Sequence, residues 1–130
     1  MASTTLAGKK IVWVEDDKFL VSLISKRMEE TGASLVIVSD GARAVETIKA
    51  EKPAIVILDL LMQNLDGFEI LKRLKGSDET KTIPVLVLSN LGQEHEIARA
   101  KELGAVKFVV KASIGLDGII PEIEKVVKGK

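Results

Sequence analysis

Five side chains in this sequence could act together on one substrate, and each follows a short apolar run. Glu15 and Asp16 come directly after Ile11–Val14, Asp59 after Ala54–Leu58, Ser89 after Pro84–Leu88 and Lys111 after Phe108–Val110. Carboxylates gathered at one place repel one another, and unless a proton is taken up the remedy is a divalent cation bound through oxygen. Cysteine is absent, and the only histidine, His95, lies among Glu94, Glu96 and Arg99 on what reads as a solvated helix face. The donor set therefore favours a hard ion such as Mg2+ over zinc or copper. An aspartate is already ionised at neutral pH, so Asp59 could attack phosphorus without a general base. A metal ion and Lys111 would offset the charge on the phosphoryl oxygens, and the Ser89 hydroxyl could donate to one of them.

Singly, each residue has a plainer reading: Asp16 or Asp17 as a helix cap, Asp59 as a turn residue, Ser89 as a loop hydroxyl, Lys111 as a solvated charge. The conjunction decides the matter, because capping does not require a carboxylate, a hydroxyl and a lysine at the ends of three further apolar runs. Asp17 keeps its plainer reading as the cap of the first helix.

The elements that must position these groups are legible in the hydrophobic pattern. Five runs, Ile11–Val14, Leu35–Val38, Ala54–Leu58, Pro84–Leu88 and Phe108–Val110, are rich in β-branched residues and apolar at nearly every position. That is the pattern of parallel strands covered on both faces. Between them apolar residues recur at helical spacing: Leu20, Leu23, Ile24 and Met28; Val45 and Ile48; Phe68, Leu71 and Leu74; Ile97 and Ala100; Ile119, Ile120, Ile123, Val126 and Val127. The order is (βα)5, and right-handed crossovers then place helices on both faces of one parallel sheet. Gly32 and Gly104 close helices, Pro53 and Pro84 stand at strand entrances, and Asp40 caps the second helix. In such a sheet ligands bind at the carboxyl ends of the strands, where the five reactive residues lie.

Composition narrows the partner class. The 130 residues hold 19 Lys plus Arg against 19 Asp plus Glu, so no net field draws the chain to nucleic acid or an anionic membrane. A protein partner or a small ligand is expected instead. The N-terminal stretch lacks a signal-peptide core, and no apolar run approaches the roughly 20 residues that insert across a bilayer. A cysteine-free chain is compatible with a reducing cytoplasm, the expected location. Residues 1–8 read as a flexible tail and 9–130 as one domain, with no fused output domain expected. Trp13 reads as core.

From Lys9 to Lys128 the chain resembles the receiver domains of response regulators, the phosphoacceptor half of two-component signalling. The residues that carry the likeness are VEDD at Val14–Asp17, ILDLLM at Ile57–Met62, DG at Asp66–Gly67, LS at Leu88–Ser89, GA at Gly104–Ala105 and FVVK at Phe108–Lys111. The resemblance implies a doubly wound α/β fold of flavodoxin-like strand order 2-1-3-4-5. It makes Asp59 the phosphorylated nucleophile, with Ser89 and Lys111 as phosphoryl contacts. Mg2+ would be held by Glu15, Asp16, Asp59 and the Leu61 backbone carbonyl, with Glu15 acting mostly through water. Ser89 and Phe108 would form the switch, a histidine kinase or phosphotransfer protein would be the donor, and a downstream effector protein would read the surface of helix four, strand five and helix five. Such a module is not a turnover enzyme.

Three positions depart from the family's common pattern: Gln63 after Met62, Asn90 after Ser89 and Ala112 after Lys111. Phe108 stands where tyrosine is common. Leu61 and Leu91, two places after Asp59 and Ser89, cannot orient a hydrolytic water, so a long-lived acyl phosphate is expected. The rival reading is a phosphorylation-independent interaction module, against which the complete acidic, hydroxyl and lysine set argues. A phosphate-cofactor binder would want a Gly- or Ser-rich loop where Glu15, Asp16 and Asp17 stand.

Overall fold

A computed structural model of the chain describes residues 5–60, 66–89 and 93–129, without the side chains of residues 112–114 and 116. The strands are β1 (Lys10–Val14), β2 (Ser34–Val38), β3 (Ile55–Asp59), β4 (Val85–Ser89) and β5 (Lys107–Val110). The helices are α1 (Lys18–Thr31), α2 (Ala44–Glu51), α3 (Gly67–Lys75), α4 (Glu94–Glu102) and α5 (Lys111–Lys128). All strand pairs are parallel, in the order β2-β1-β3-β4-β5. The doubly wound expectation is met.

Strand alternation splits the core into two layers. Val12, Val14, Val56, Leu58, Val85 and Val87 pack with Ala44 and Ile48 of α2, Ile70, Leu71 and Leu74 of α3, and Ala100 of α4. Ile11, Trp13, Ile55, Ile57, Leu86 and Leu88 pack with Ile24 and Met28 of α1 and Ile119 and Ile123 of α5. Both faces of β3 and β4 are thus dry, which explains why those runs have no polar alternation. Ion pairs fasten the second layer at its rim, Arg27 to Asp117 at 2.9 Å between α1 and α5, and Lys107 to Glu122 between β5 and α5.

Several local expectations hold. Asp17 caps α1, accepting from Phe19 N–H at 3.0 Å and Leu20 N–H at 3.1 Å. Gly32 ends α1 at φ 80°, a left-handed position that costs glycine nothing. Trp13 is fully buried, and its indole N–H meets no acceptor among the described residues.

Other details differ. Asp40 caps not α2 but a 3-10 turn, Gly41–Arg43, that leads into it, accepting from Ala42 N–H at 3.0 Å. Helix α2 then starts at Ala44 without a side-chain cap, because the turn already directs the chain. Leu23 is 41% exposed, whereas Ile24 and Met28, one turn apart, form the buried stripe. Helix α5 leaves helical geometry at Gly115, where φ is 66°, so it is two helical segments and carries Pro121 in the second.

Part of the stretch expected as a tail lies within the described residues. Residues 5–8 form a turn, with Lys9 N–H bonded to Leu6 O and Gly8 N–H to Gly32 O, each at 3.0 Å. Leu6 is fully buried in the layer of Ile11 and Met28. An isolated leucine in a polar stretch has no periodicity to announce it, and only the packing of α1 against β1 creates its slot.

Leu6→Ala should therefore lower unfolding free energy by about 2–5 kcal/mol, the range for a buried leucine, whereas Leu23→Ala should stay within about 0.5 kcal/mol. Urea unfolding of both variants checks this. Equal losses would show that Leu6 is not a core residue.

Candidate functional site

The carboxyl ends of β1, β3, β4 and β5 bring the reactive residues to one rim of the sheet. Glu15 leaves β1 with its backbone N–H bonded to Val38 O at 2.9 Å, which extends the β1–β2 ladder one step past the strand. The cap that Asp17 makes on α1 fixes the following turn, and Asp17 N–H also donates to Glu15 Oε2 at 3.4 Å. Asp59 is the last residue of β3, in register with Leu88 of β4, and Ser89 ends β4 in register with Val110. Lys111 follows Val110 as the first residue of α5.

One ammonium organises this rim. Lys111 Nζ donates to Glu15 Oε1 and to Asp59 Oδ2, both at 3.0 Å. Glu15 and Asp59 are buried, and the Lys111 side chain is only 15% exposed, so these charge-assisted bonds lie in a site of reduced dielectric. Carboxylate oxygens of Glu15, Asp16 and Asp59 all lie within 4.8 Å of one another. Among the described residues, three carboxylates and one lysine thus meet at this rim.

Glu15 responds to its surroundings on this rim. Burial first, then the contact with the Asp59 carboxylate and its charge, push the Glu15 pKa up to about 7, against the opposing pull of Lys111. Burial pulls the Lys111 pKa down, but the charges and hydrogen bonds of Asp59 and Glu15 together outweigh it and hold the ammonium above its usual range. The site thus stands ready for one more positive charge, a proton or a metal ion. Its donors fit Mg2+, being all oxygen, partly buried and already close together. Glu15, Asp16 and Asp59 are the side chains that would hold the ion.

The remaining site expectations fall into three groups. Ser89 is fully buried at its strand end, and Phe108 is half-buried on β5 against the layer under α3 and α4. His95 is exposed at the start of α4. Leu61, Gln63, Asn90 and Leu91 lie outside the described residues, as does the side chain of Ala112. A contact that sequence reading missed joins α4 to α3: the Arg99 guanidinium lies 4.3 Å from the centre of the Phe68 ring. A pair so far apart along the chain leaves no local signal. A surface groove of about 370 Å3, lined by Val36–Asp40, Arg43 and Thr47, contains none of the reactive residues, so concavity alone does not mark this site.

Comparison with known proteins agrees with this geometry. The family model described as the response regulator receiver domain matches residues 11–121. The chain is 32% identical over 104 residues to the alkaline phosphatase synthesis transcriptional regulatory protein PhoP of Bacillus subtilis, covering 80% of this chain and 42% of that protein. It thus spans about two fifths of that relative's length. It is also 31% identical over 106 residues to sporulation initiation phosphotransferase F of Bacillus subtilis, covering 82% of this chain and 84% of that protein. Among solved structures, the BeF3-activated N-terminal receiver domain of Klebsiella pneumoniae RstA superposes with a TM-score of 0.82 at 27% identity, covering 92% of this chain and 98% of that one.

The raised Glu15 pKa has a signed consequence. The folded state binds that proton more tightly than the unfolded chain, so its contribution to stability is full below pH 4.5 and is lost as pH rises through about 7. In metal-free buffer the wild type should lose stability relative to Glu15→Gln across that window, and Mg2+ should restore it above the window. Thermal unfolding as a function of pH measures both effects. Parallel profiles for the two proteins would contradict the assignment.

Proposed function

Because the chain belongs to the response regulator receiver domain family, we propose that it is a phosphoacceptor switch in which Asp59 takes a phosphoryl group from a histidine kinase or phosphotransfer protein. The observation that carries this reading is the bridge from Lys111 to Asp59 and Glu15, a preformed cation on a buried carboxylate. A carboxylate oxygen of Asp59 attacks phosphorus in line with the phosphohistidine nitrogen. The new O–P bond forms as the P–N bond breaks, and the electron pair returns to the imidazole. Lys111 needs only to follow the charge from the carboxylate to a phosphoryl oxygen, because it already lies 3.0 Å from Asp59.

When bound, Mg2+ would neutralise phosphoryl oxygens and template the transfer, held by Glu15, Asp16, Asp59 and the Leu61 carbonyl. Ser89 is assigned the remaining contact, donating its hydroxyl to a phosphoryl oxygen. Its movement would open space for Phe108 on β5, and the surface of α4, β5 and α5 would carry the change to an effector protein. The unit proposed to do this is residues 9–130 together with the Leu6 turn that packs on them, in the cytoplasm, acting as a signalling module and not turning over an external substrate. Among the described residues no helix is long and apolar enough to cross a membrane.

Incubation with a small-molecule phosphodonor and Mg2+ should add one phosphoryl mass to the wild type, and EDTA or Asp59→Ala should abolish it. Intact mass spectrometry reads the result. Undiminished labelling in EDTA removes the metal from the mechanism, and labelling of Asp59→Ala removes the nucleophile. Phosphorylation should also shift the amide resonances of Ser89 and of Lys107 to Lys111 in NMR spectra, whereas unchanged shifts there would defeat the switch assignment.

A further inference from the structure

The Asp66–Gly67 pair stands outside the chemistry so far, although it begins α3 beside the phosphoacceptor strand. Asp66 is the helix cap, accepting from Phe68 N–H at 2.9 Å. Gly67 has a different task. A β-carbon built on it would lie 2.6 Å from Leu60 Cα and 3.0 Å from the carbonyl oxygens of both Asp59 and Leu60. Carbon atoms in contact settle about 3.5–4.0 Å apart, so even one methyl group must displace this backbone by about 1 Å. The obstacle is main chain and cannot swing aside as the tip of a long side chain would. The φ of Gly67 is not in the left-handed region, so its requirement is for space and not for torsion.

The closeness is enforced by the core. Ile70, Leu71 and Leu74 bury α3 against the sheet, and Gly67 N–H donates to Leu60 O at 3.3 Å. Helix α3 cannot retreat without opening that layer, so any bulk at position 67 is transmitted into the strand end. The residue next to Leu60 is Asp59, whose carboxylate must meet Lys111 at 3.0 Å and lie beside those of Glu15 and Asp16. We propose that Gly67 is a positioning residue for Asp59: its missing side chain lets the first turn of α3 rest on the Asp59–Leu60 backbone and set the direction in which the carboxylate leaves the strand. The proposal rests on the reading of Asp59 as the phosphoacceptor.

Gly67→Ala separates this role from a merely structural one when compared with Asp66→Ala, which removes the cap of the same helix and adds nothing at Leu60. Helix propensity alone would favour alanine at 67. Mg2+ affinity, followed by amide chemical shifts, should fall about tenfold or more in Gly67→Ala, the scale of losing support behind a metal ligand. Phosphorylation from the small-molecule donor should slow by about 100-fold, as expected for a displacement of about 1 Å. Asp66→Ala should keep both within about twofold while lowering thermal stability. A folded Gly67→Ala with wild-type Mg2+ affinity and rate overturns the proposal. Should that variant not fold, the wild type decides: the Gly67 and Leu60 amides must shift along the same Mg2+ titration curve as Asp59, and their silence overturns it. A wild type that takes no phosphoryl group defeats the phosphoacceptor reading, whereas the Mg2+ titrations still judge the contact.

Discussion

Two buried carboxylates share one lysine at the end of a parallel sheet, and the rest of this molecule can be understood as what makes that arrangement tolerable. Burying an ionised carboxylate is costly unless it is paired and hydrogen-bonded, and Glu15 and Asp59 are both paired with Lys111 at 3.0 Å. Asp16 brings a third carboxylate within 4.8 Å, and burial, followed by the contact and charge of Asp59, raises the Glu15 pKa. Under the proposed reading, a bound cation would add positive charge here, and a phosphoryl group on Asp59 would spread charge over more oxygens.

Strand order turns that local chemistry into a property of the fold. Placing β1 next to β3 sets Glu15 and Asp59 side by side, and placing β5 two strands from β3 and three from β1 calls for a side chain as long as lysine to reach them. The two apolar layers, one under α2, α3 and α4 and the other under α1 and α5, supply the burial that offsets the cost of the charged rim. Helix starts then trim the geometry. Asp17 holds the turn after Glu15, and Gly67 brings α3 onto the strand end at Asp59. The apolar layers lie below the rim, and the charged groups gather at it.

Much of this was legible in the sequence because the signals are local or repeated. Continuous β-branched runs such as Ile55–Leu58 and Val85–Leu88 report strands covered on both faces, and a charged or hydroxyl residue ending each run reports the rim. The cap at Asp17 and the breaker at Gly32 are read from single residues with one physical role. What escaped depends on contacts between distant segments. Leu6 looks like a tail residue until α1 and β1 create its slot, and Leu23 looks like a core residue until the buried stripe is seen to pass through Ile24 and Met28. Nothing in the letters shows that Gly67 stands where a methyl group would meet Leu60 at 2.6 Å, or that Arg99 covers the Phe68 ring. Asp40 was read for the right chemistry on the wrong element, since a 3-10 turn intervenes before α2.

The central claim is that one carboxylate among several crowded ones, that of Asp59, is the nucleophile. Acyl phosphates are reduced by borohydride to the alcohol, so trapping the phosphorylated protein in this way and mapping its peptides identifies the modified carboxylate without any substitution in the site. The account predicts homoserine at position 59 and nowhere else. Homoserine at Asp16, Asp17 or Asp66, or phosphate retained on His95 with position 59 unaltered, would contradict it.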